Sequence, residues 1–342
     1  MRMKSFAGSC RVLALLAMVP SMAMGQTTTE DGWTVPRTPD GHPDIQGVWA
    51  NNSAIPFERP EAWTGKERLT EEELAELKVA AASATNAGQD ALFGDQLVLA
   101  AIERTQATSY DPTTGNYNGF WIAERTFSER TSLVVDPPNG RLPALTAEAE
   151  TLAAGQQAYT KEHPADTYTD RPLPERCVSF GAPNLQAAYN SNSHIFQSSD
   201  HVVIVQEMIH DARVIPLDVR ARPADSVAQL HGVPRGRWED DTLVIETTHY
   251  RGMSGYRQTS DALKVTERMT RVSPETLRYE VTLDDPKMWS APWTVVIPLE
   301  YSASPIFEYA CHEGNIGMEG ILAGHRAEER EAAEQQNNSG TP

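Results

Sequence analysis

Lys264-Val-Thr-Glu-Arg-Met-Thr-Arg-Val272, the turn Ser273-Pro-Glu275 and Thr276-Leu-Arg-Tyr-Glu-Val-Thr-Leu-Asp284 decide the fold class. Apolar and polar side chains alternate with period two on both sides of the turn, the pattern of two antiparallel strands with one covered face. The same texture recurs outward from this hairpin. Short alternating runs at 194–199, 201–210, 213–218, 236–239, 242–250, 293–301 and 305–312 are separated by turn signals such as Asp240-Asp241. Many short strands at close spacing predict an antiparallel meander rather than βαβ units.

Upstream the organisation loosens. Ile45-Gln-Gly-Val-Trp-Ala-Asn51 predicts a first strand, behind a turn-rich arm from 26 to 46. Thr70-Glu-Glu-Glu73 reads as an N-cap with acids in the first turn, and Leu74, Leu77, Val79 and Ala81 supply part of an apolar face. Thr146 opens a second helix in the same way, reaching His163 before Pro164. Between them Arg130-Thr-Ser-Leu-Val-Val-Asp136 predicts a short strand stopped by Pro137-Pro138-Asn-Gly140. The expected organisation is therefore a leader over 1–25, then an arm, first strand and helical insertion over 26–176. A meander or barrel over 177–326 and a flexible tail over 327–342 complete it.

Composition narrows the partners. The 342 residues are 22% charged and 40% hydrophobic, and 29 Lys plus Arg against 47 Asp plus Glu give a formal charge of −18. Such a balance repels phosphate backbones and anionic lipid, which argues against nucleic acid and the membrane surface. Arg2 and Lys4 precede the apolar run Val12-Leu-Ala-Leu-Leu-Ala-Met18, and Ala23-Met-Gly25 follows, which describes a secretory signal peptide. Nothing else approaches the roughly 20 apolar residues of a membrane span. The expected location is outside the cytoplasm, in the periplasm.

Without the leader, which carries Cys10, two cysteines remain, Cys177 and Cys311. Two thiols in an oxidising compartment usually pair. Zinc is the rival reading, since His312 follows Cys311, but the spacing matches no CxxC or HxxxH pattern. A disulfide is expected.

Gly47-Val-Trp49 resembles the GxW opening of lipocalin-like barrels, and Gly236-Arg-Trp-Glu-Asp-Asp-Thr-Leu-Val-Ile-Glu246 with the strands after it is similar to the meander of calycin-type folds. Over residues 33–326 the chain resembles a family of uncharacterised secreted bacterial proteins. Thr38-Pro-Asp-Gly41, Pro43-Asp-Ile-Gln-Gly-Val-Trp49, Glu207-Met-Ile-His-Asp-Ala-Arg213, Gly236-Arg-Trp-Glu-Asp-Asp-Thr-Leu243 and Ala310-Cys-His-Glu-Gly-Asn315 carry that resemblance. It implies a shared secreted, mainly β fold and brings no activity with it. The expected architecture is an antiparallel calycin-like β-barrel with an N-terminal arm and a helical insertion over one mouth.

Alternation also sorts the chemistry. Glu267 shares a face with Val265 and Met269, opposite Thr266 and Arg268; His249 shares a face with Leu243 and Ile245. Ionisable groups on apolar faces are costly unless paired. Glu207, His210, Arg213, His249, Glu267, Arg268, Glu308 and His312 are the groups expected to converge on the inner surface, and a barrel with a polar cavity accounts for them. Plainer accounts stand beside this one. Glu207 and Arg213 would form an ion pair across a turn, His210 would cap that turn, Arg278 or Lys264 would neutralise Glu267, and His312 would pack beside the disulfide. The seven tryptophans read as core or arm-docking residues.

The expected function is cofactor-independent acid–base catalysis, as a lyase, isomerase or hydrolase, on a small organic substrate. His210 would be the acid or base, Glu207 or Glu267 would orient or share the proton, and Arg213 and Arg268 would stabilise developing negative charge. His249, Glu308, His312, Asn190 and Gln197 would hold the substrate. The alternative is a non-catalytic, lipocalin-like small-ligand carrier, and a third reading is a structural subunit of the envelope. No cofactor is expected; His210, His249 and His312 with Glu207 or Glu313 could hold zinc or non-haem iron, though no ligand spacing supports it. Serine chemistry lacks a signature, since no GxSxG elbow surrounds Ser132 or Ser179. Oligomeric state is not legible in the sequence.

Overall fold

The computed structural model describes residues 33–86, 92, 94–105, 124–185, 189–218, 223–224, 226–252 and 259–339. The proposed leader, residues 1–25, lies outside them, as does Trp121. Among the described residues ten strands form one antiparallel sheet: β1 (Gly47–Ala50), β2 (Val134–Asp136), β3 (Asn192–Gln197), β4 (His201–Gln206), β5 (Ala212–Pro216), β6 (Val233–Glu239), β7 (Thr242–Thr248), β8 (Lys264–Arg271), β9 (Thr276–Asp284) and β10 (Trp293–Ser302). Their order is β5-β4-β3-β1-β10-β9-β8-β7-β6, with β2 pairing β10 off this path. The α-helices of the described residues are α1 (Glu71–Asn86), α2 (Gln96–Glu103), α3 (Ala147–Glu162) and α4 (Ile316–Ser339).

The period-two reading of β8 and β9 holds residue by residue. Val265, Glu267 and Met269 are buried together with Leu277, Tyr279, Val281 and Leu283 of β9. Opposite them, polar side chains on the outer face pair across strands, with Arg268 reaching Glu239 at 2.8 Å and Thr242 meeting Thr270 at 2.7 Å. One apolar core lies inside the curled sheet and includes Trp49, Trp293, Leu243, Ile245 and Ile204, all at most 1% exposed. Burial of a few dozen such side chains, at about 25 cal/mol per Å² of apolar surface, is the main force holding the sheet in this curl.

The two ends of the strand order, β5 and β6, pack against each other, yet no backbone ladder joins them. Side chains fill this seam. A Cβ added at Gly236 on β6 would sit 2.7 Å from Leu217 and 2.9 Å from Ile215, the latter on β5, so only glycine lets the edges approach so closely. The sheet therefore curls until its edges touch without closing by hydrogen bonds.

The arm is tied to the sheet rather than loose. The Gln197 side chain accepts from Ile45 N at 2.7 Å and donates to Pro43 O at 3.0 Å, while His42 stacks on Trp238 with centroids 5.3 Å apart. Thr70 and Glu73 form a reciprocal cap at the start of α1 (3.2 and 2.9 Å), and Thr146 caps α3 through Ala149 N at 3.1 Å. Leu77 and Ala81 of α1 pack on Leu97, Val98 and Ala101 of α2 in a small separate core, although Val79, expected on the buried face, is 72% exposed.

Two expectations at the C-terminal end change. Residues 305–312 alternate like a strand but form no ladder; Pro305 interrupts donation and Cys311 is held elsewhere by its disulfide. The chain beyond 326 continues α4 as far as Ser339 instead of fraying, because Ala, Glu, Gln and Arg dominate that stretch and favour helix. Cys177 and Cys311 form the expected disulfide, with a Cα–Cα distance of 5.7 Å, and it fits an oxidising compartment. Among the described residues no helix is long and apolar enough to cross a membrane.

Candidate functional site

The residues expected to share one lumen divide between two places. The first is the interior of the sheet. Arg213, aimed inward from β5, grips Glu267 of β8 with both guanidinium nitrogens, Nη1 reaching Oε1 at 2.8 Å and Nη2 contacting Oε2. Tyr279 donates its hydroxyl to the same carboxylate at 2.5 Å, and Thr247 Oγ1 lies 3.5 Å from Nη2. Both side chains are within a few percent of complete burial. Burial alone would oppose the charge on Arg213, but the Glu267 carboxylate beside it prevails and holds the guanidinium above its ordinary value. Tyr250, buried nearby, has its phenol pushed upward, first by desolvation.

Both oxygens of Glu267 are thus occupied, and apolar side chains surround the pair. Such a centre neutralises two buried charges and fixes β5 across the core to β8. Arg213 therefore pairs with neither Glu207 nor solvent, and Glu267 takes its cation from β5 rather than from Arg278 or Lys264.

The second place is a groove of about 870 Å³ on the surface. One wall is the segment Pro174–Cys177; the other is the irregular stretch 307–311 with the start of α4. Asn190, Glu207, Glu308 and both cysteines line it, together with Glu175, Tyr189, Asn192, Tyr309 and Asn315. Glu207 directly follows β4 and is only 2% exposed. Its Oε2 accepts from Asn192 Nδ2 at 2.6 Å and its Oε1 from Phe307 N at 3.1 Å. Asn315 braces the opposite side, donating to Glu175 O at 3.1 Å and to Cys177 Sγ at 3.3 Å. Tyr189 and Tyr309 meet edge to face with centroids 6.5 Å apart.

Backbone strain gathers here. Cys177 (φ 54°) and Asn190 (φ 44°) line the groove, and Ile209 (φ 59°) and His210 (φ 56°) stand in the turn after Glu207. For a β-branched residue such as Ile209 the left-handed region is a genuine outlier, and such conformations concentrate where a structure clamps a ligand. This turn also explains His210, which is exposed rather than inward. The Tyr309 N–H points at its ring, 3.2 Å from Nε2 and 3.3 Å from Nδ1, so the imidazole stands at the groove's edge.

The remaining candidates lie apart. Arg268 is on the outer face beside Glu239, Gln197 anchors the arm, and His312 is exposed in the turn before α4. His249 directly follows β7 at φ 60°, with Nδ1 2.8 Å from Thr248 Oγ1. Its three histidines and acids are not drawn together, so the metal set read from the sequence has no common centre among the described residues. The described residues that do converge are Asp166, His325 and Glu329, with ligand atoms within 4.8 Å of one another. Arg326, 3.0 Å from Glu329, already gives that cluster a positive partner, and His163 lies 2.7 Å from Asp166.

Sequence reading dismissed Ser179 and missed the partners that gather around it. Ser179 donates to Asp211 Oδ2 at 2.8 Å, accepts from Gly181 N at 2.8 Å and lies 2.6 Å from His231 Nε2. The residue types are those of a nucleophilic triad, but Asp211 approaches the same ring nitrogen as the serine, 3.7 Å away, not the far one. An acid there cannot orient the ring for proton abstraction from the hydroxyl. Ser179 is instead a saturated hydrogen-bond hub, fully buried, and burial foremost lowers the His231 imidazole below its ordinary value. No protein-family model matches the chain, and neither a curated protein nor a solved structure is significantly similar to it.

Proposed function

We propose that the protein is a secreted, periplasmic small-ligand-binding protein with a calycin-like sheet, and that the groove over Glu207 is its site. The observation that carries this reading is the buried Glu207 carboxylate at the base of an open, aromatic-walled groove whose supporting residues are held in strained conformations. Buried polar groups converging on a concavity are the usual marks of a ligand site. The lining supplies carboxylates, amides and aromatic faces but, among the described residues, no Lys, Arg or His. Such a surface suits a small polar molecule with a ring or apolar face and disfavours an anion. Support for the calycin-like description comes from the GxW triplet on β1, the following meander and the curl that brings β5 against β6.

A second reading, acid–base catalysis in the same groove, is favoured by His210 standing at its edge within four residues of Glu207. Native mass spectrometry of the mature protein purified from the periplasm, followed by incubation of any co-purified molecule with fresh protein, tests both. Stoichiometric retention without chemical change supports the carrier. Consumption that disappears in His210→Ala, with affinity preserved, supports the enzyme. Retention that survives Tyr309→Ala and Glu207→Ala unchanged would remove the groove from consideration.

A further inference from the structure

We infer that the ligand of this groove carries a cationic nitrogen, an ammonium or substituted ammonium group, for which Glu207 is the counter-charge. The inference rests on the groove being the binding site and deepens that reading. Glu207 is 2% exposed, and its two oxygens receive only neutral donors, an amide and a backbone N–H, with no ion-pair partner among the described residues. Contrast Glu267, buried to the same degree but gripped by Arg213. A buried carboxylate lacking a cation is costly, and proteins normally supply a partner.

The surroundings sharpen this asymmetry. Glu308 adds a further acid to the lining with no ion-pair partner among the described residues, whereas Glu175 is already gripped by Arg171 at 2.7 and 3.1 Å. The field of the groove therefore attracts cations and repels anions. Tyr189, Tyr309 and Phe307 complete the recognition chemistry: Phe307 is 66% exposed, an uncommon state for a phenylalanine, and the other two form the edge-to-face pair behind it. Ring faces beside a carboxylate are the standard means of holding a substituted ammonium, the negative face of each ring meeting the cation's methyl or methylene hydrogens. The held group would displace water from Phe307 and bring a positive charge to Glu207 without covalent chemistry.

The probe is a matched pair: choline, and 3,3-dimethylbutan-1-ol, its uncharged isostere, with a neutral disaccharide as a third ligand. Binding is read by calorimetry and by chemical-shift changes of groove resonances in the mature, disulfide-bonded protein. Choline is expected to bind at least about tenfold more tightly than the alcohol, the preference falling severalfold in Glu207→Gln and with added salt. Equal affinity for choline and the alcohol, or disaccharide-dependent shifts at Tyr309 without choline-dependent ones, would overturn the cationic assignment while leaving the groove as the site. Absence of groove shifts with all three would overturn both. Should Glu207→Gln not fold, the comparison of choline with its isostere on the unaltered protein decides the matter alone.

Discussion

Replacing Glu267 with glutamine removes one of two charges from a place that water does not reach. The Arg213 and Glu267 side chains are 3% and 0% exposed, and the carboxylate also accepts the Tyr279 hydroxyl at 2.5 Å. Glutamine keeps the shape and one acceptor, but it leaves the guanidinium buried without a counter-charge and points an N–H₂ toward donors. Breaking one partner of such a pair costs about 3–5 kcal/mol. Replacing both, as Arg213→Met with Glu267→Leu, removes the two desolvation penalties together and should return stability to within about 2 kcal/mol of the parent, or above it. Urea unfolding followed by tryptophan fluorescence suits the measurement, since Trp49 and Trp293 are fully buried and report loss of the core. A Glu267→Gln protein within 1 kcal/mol of the parent, or a double variant less stable than either single one, would refute the structural assignment (both thresholds follow from the cost of an isolated buried charge). Loss of ligand binding in a double variant of parental stability would return the pair to the functional site.

Other outcomes follow from separate features. Alkylation of the mature protein without reduction should modify neither Cys177 nor Cys311, and Cys177→Ser with Cys311→Ser should cost about 4–5 kcal/mol, as expected for a bridge 134 positions long; two alkyl adducts on native protein would contradict it. His231 is held below its ordinary value of 6.5, chiefly by burial, so the folded protein resists its protonation more than the unfolded chain does. Stability should be fully present above that pH and fall as acidification lets the unfolded chain bind a proton the folded one resists, with a slope of at most about 1.4 kcal/mol per pH unit. His231→Gln should flatten that dependence in melts between pH 7.5 and pH 5, and an unchanged slope would show that other groups dominate (the pH range brackets the imidazole's ordinary titration). Gly236→Val should destabilise by about 1–3 kcal/mol through collision with Leu217 and Ile215, measured by urea midpoint; a neutral substitution would mean that the two edges do not meet.

Local patterning was readable and distant pairing was not. Alternation in 264–284 placed Glu267 inward correctly because side-chain direction in a strand follows from the immediate neighbours. Its partner lay 54 positions away on a strand six places along the sheet order, and no spacing rule connects them. The faces of Glu207 and His210 were misjudged for a different reason: counting in twos assumes extended backbone, and Ile209 and His210 both leave it for positive φ. The disulfide was legible by counting thiols, whereas its consequence, a groove walled by the two segments it joins, required coordinates. The alternation in 305–312 promised a strand, but Pro305 and the disulfide at Cys311 keep that stretch out of the sheet. Ser179 was set aside for want of a local signature, and its contacts with Asp211 and His231 could not be read because those partners come from separate loops.

The line where β5 meets β6 is the cheapest place to part this molecule. Elsewhere, separating neighbouring strands means giving up a run of backbone hydrogen bonds; here only side-chain contacts around Gly236, Ile215 and Leu217 must slide apart. Transient gaping should therefore start at this boundary, and amide protons of β5 and β6 facing it should exchange with deuterium well before those of β8, β9 and β10. Because β5 also carries Arg213, each such excursion would give water its shortest path to the otherwise dry centre of the protein.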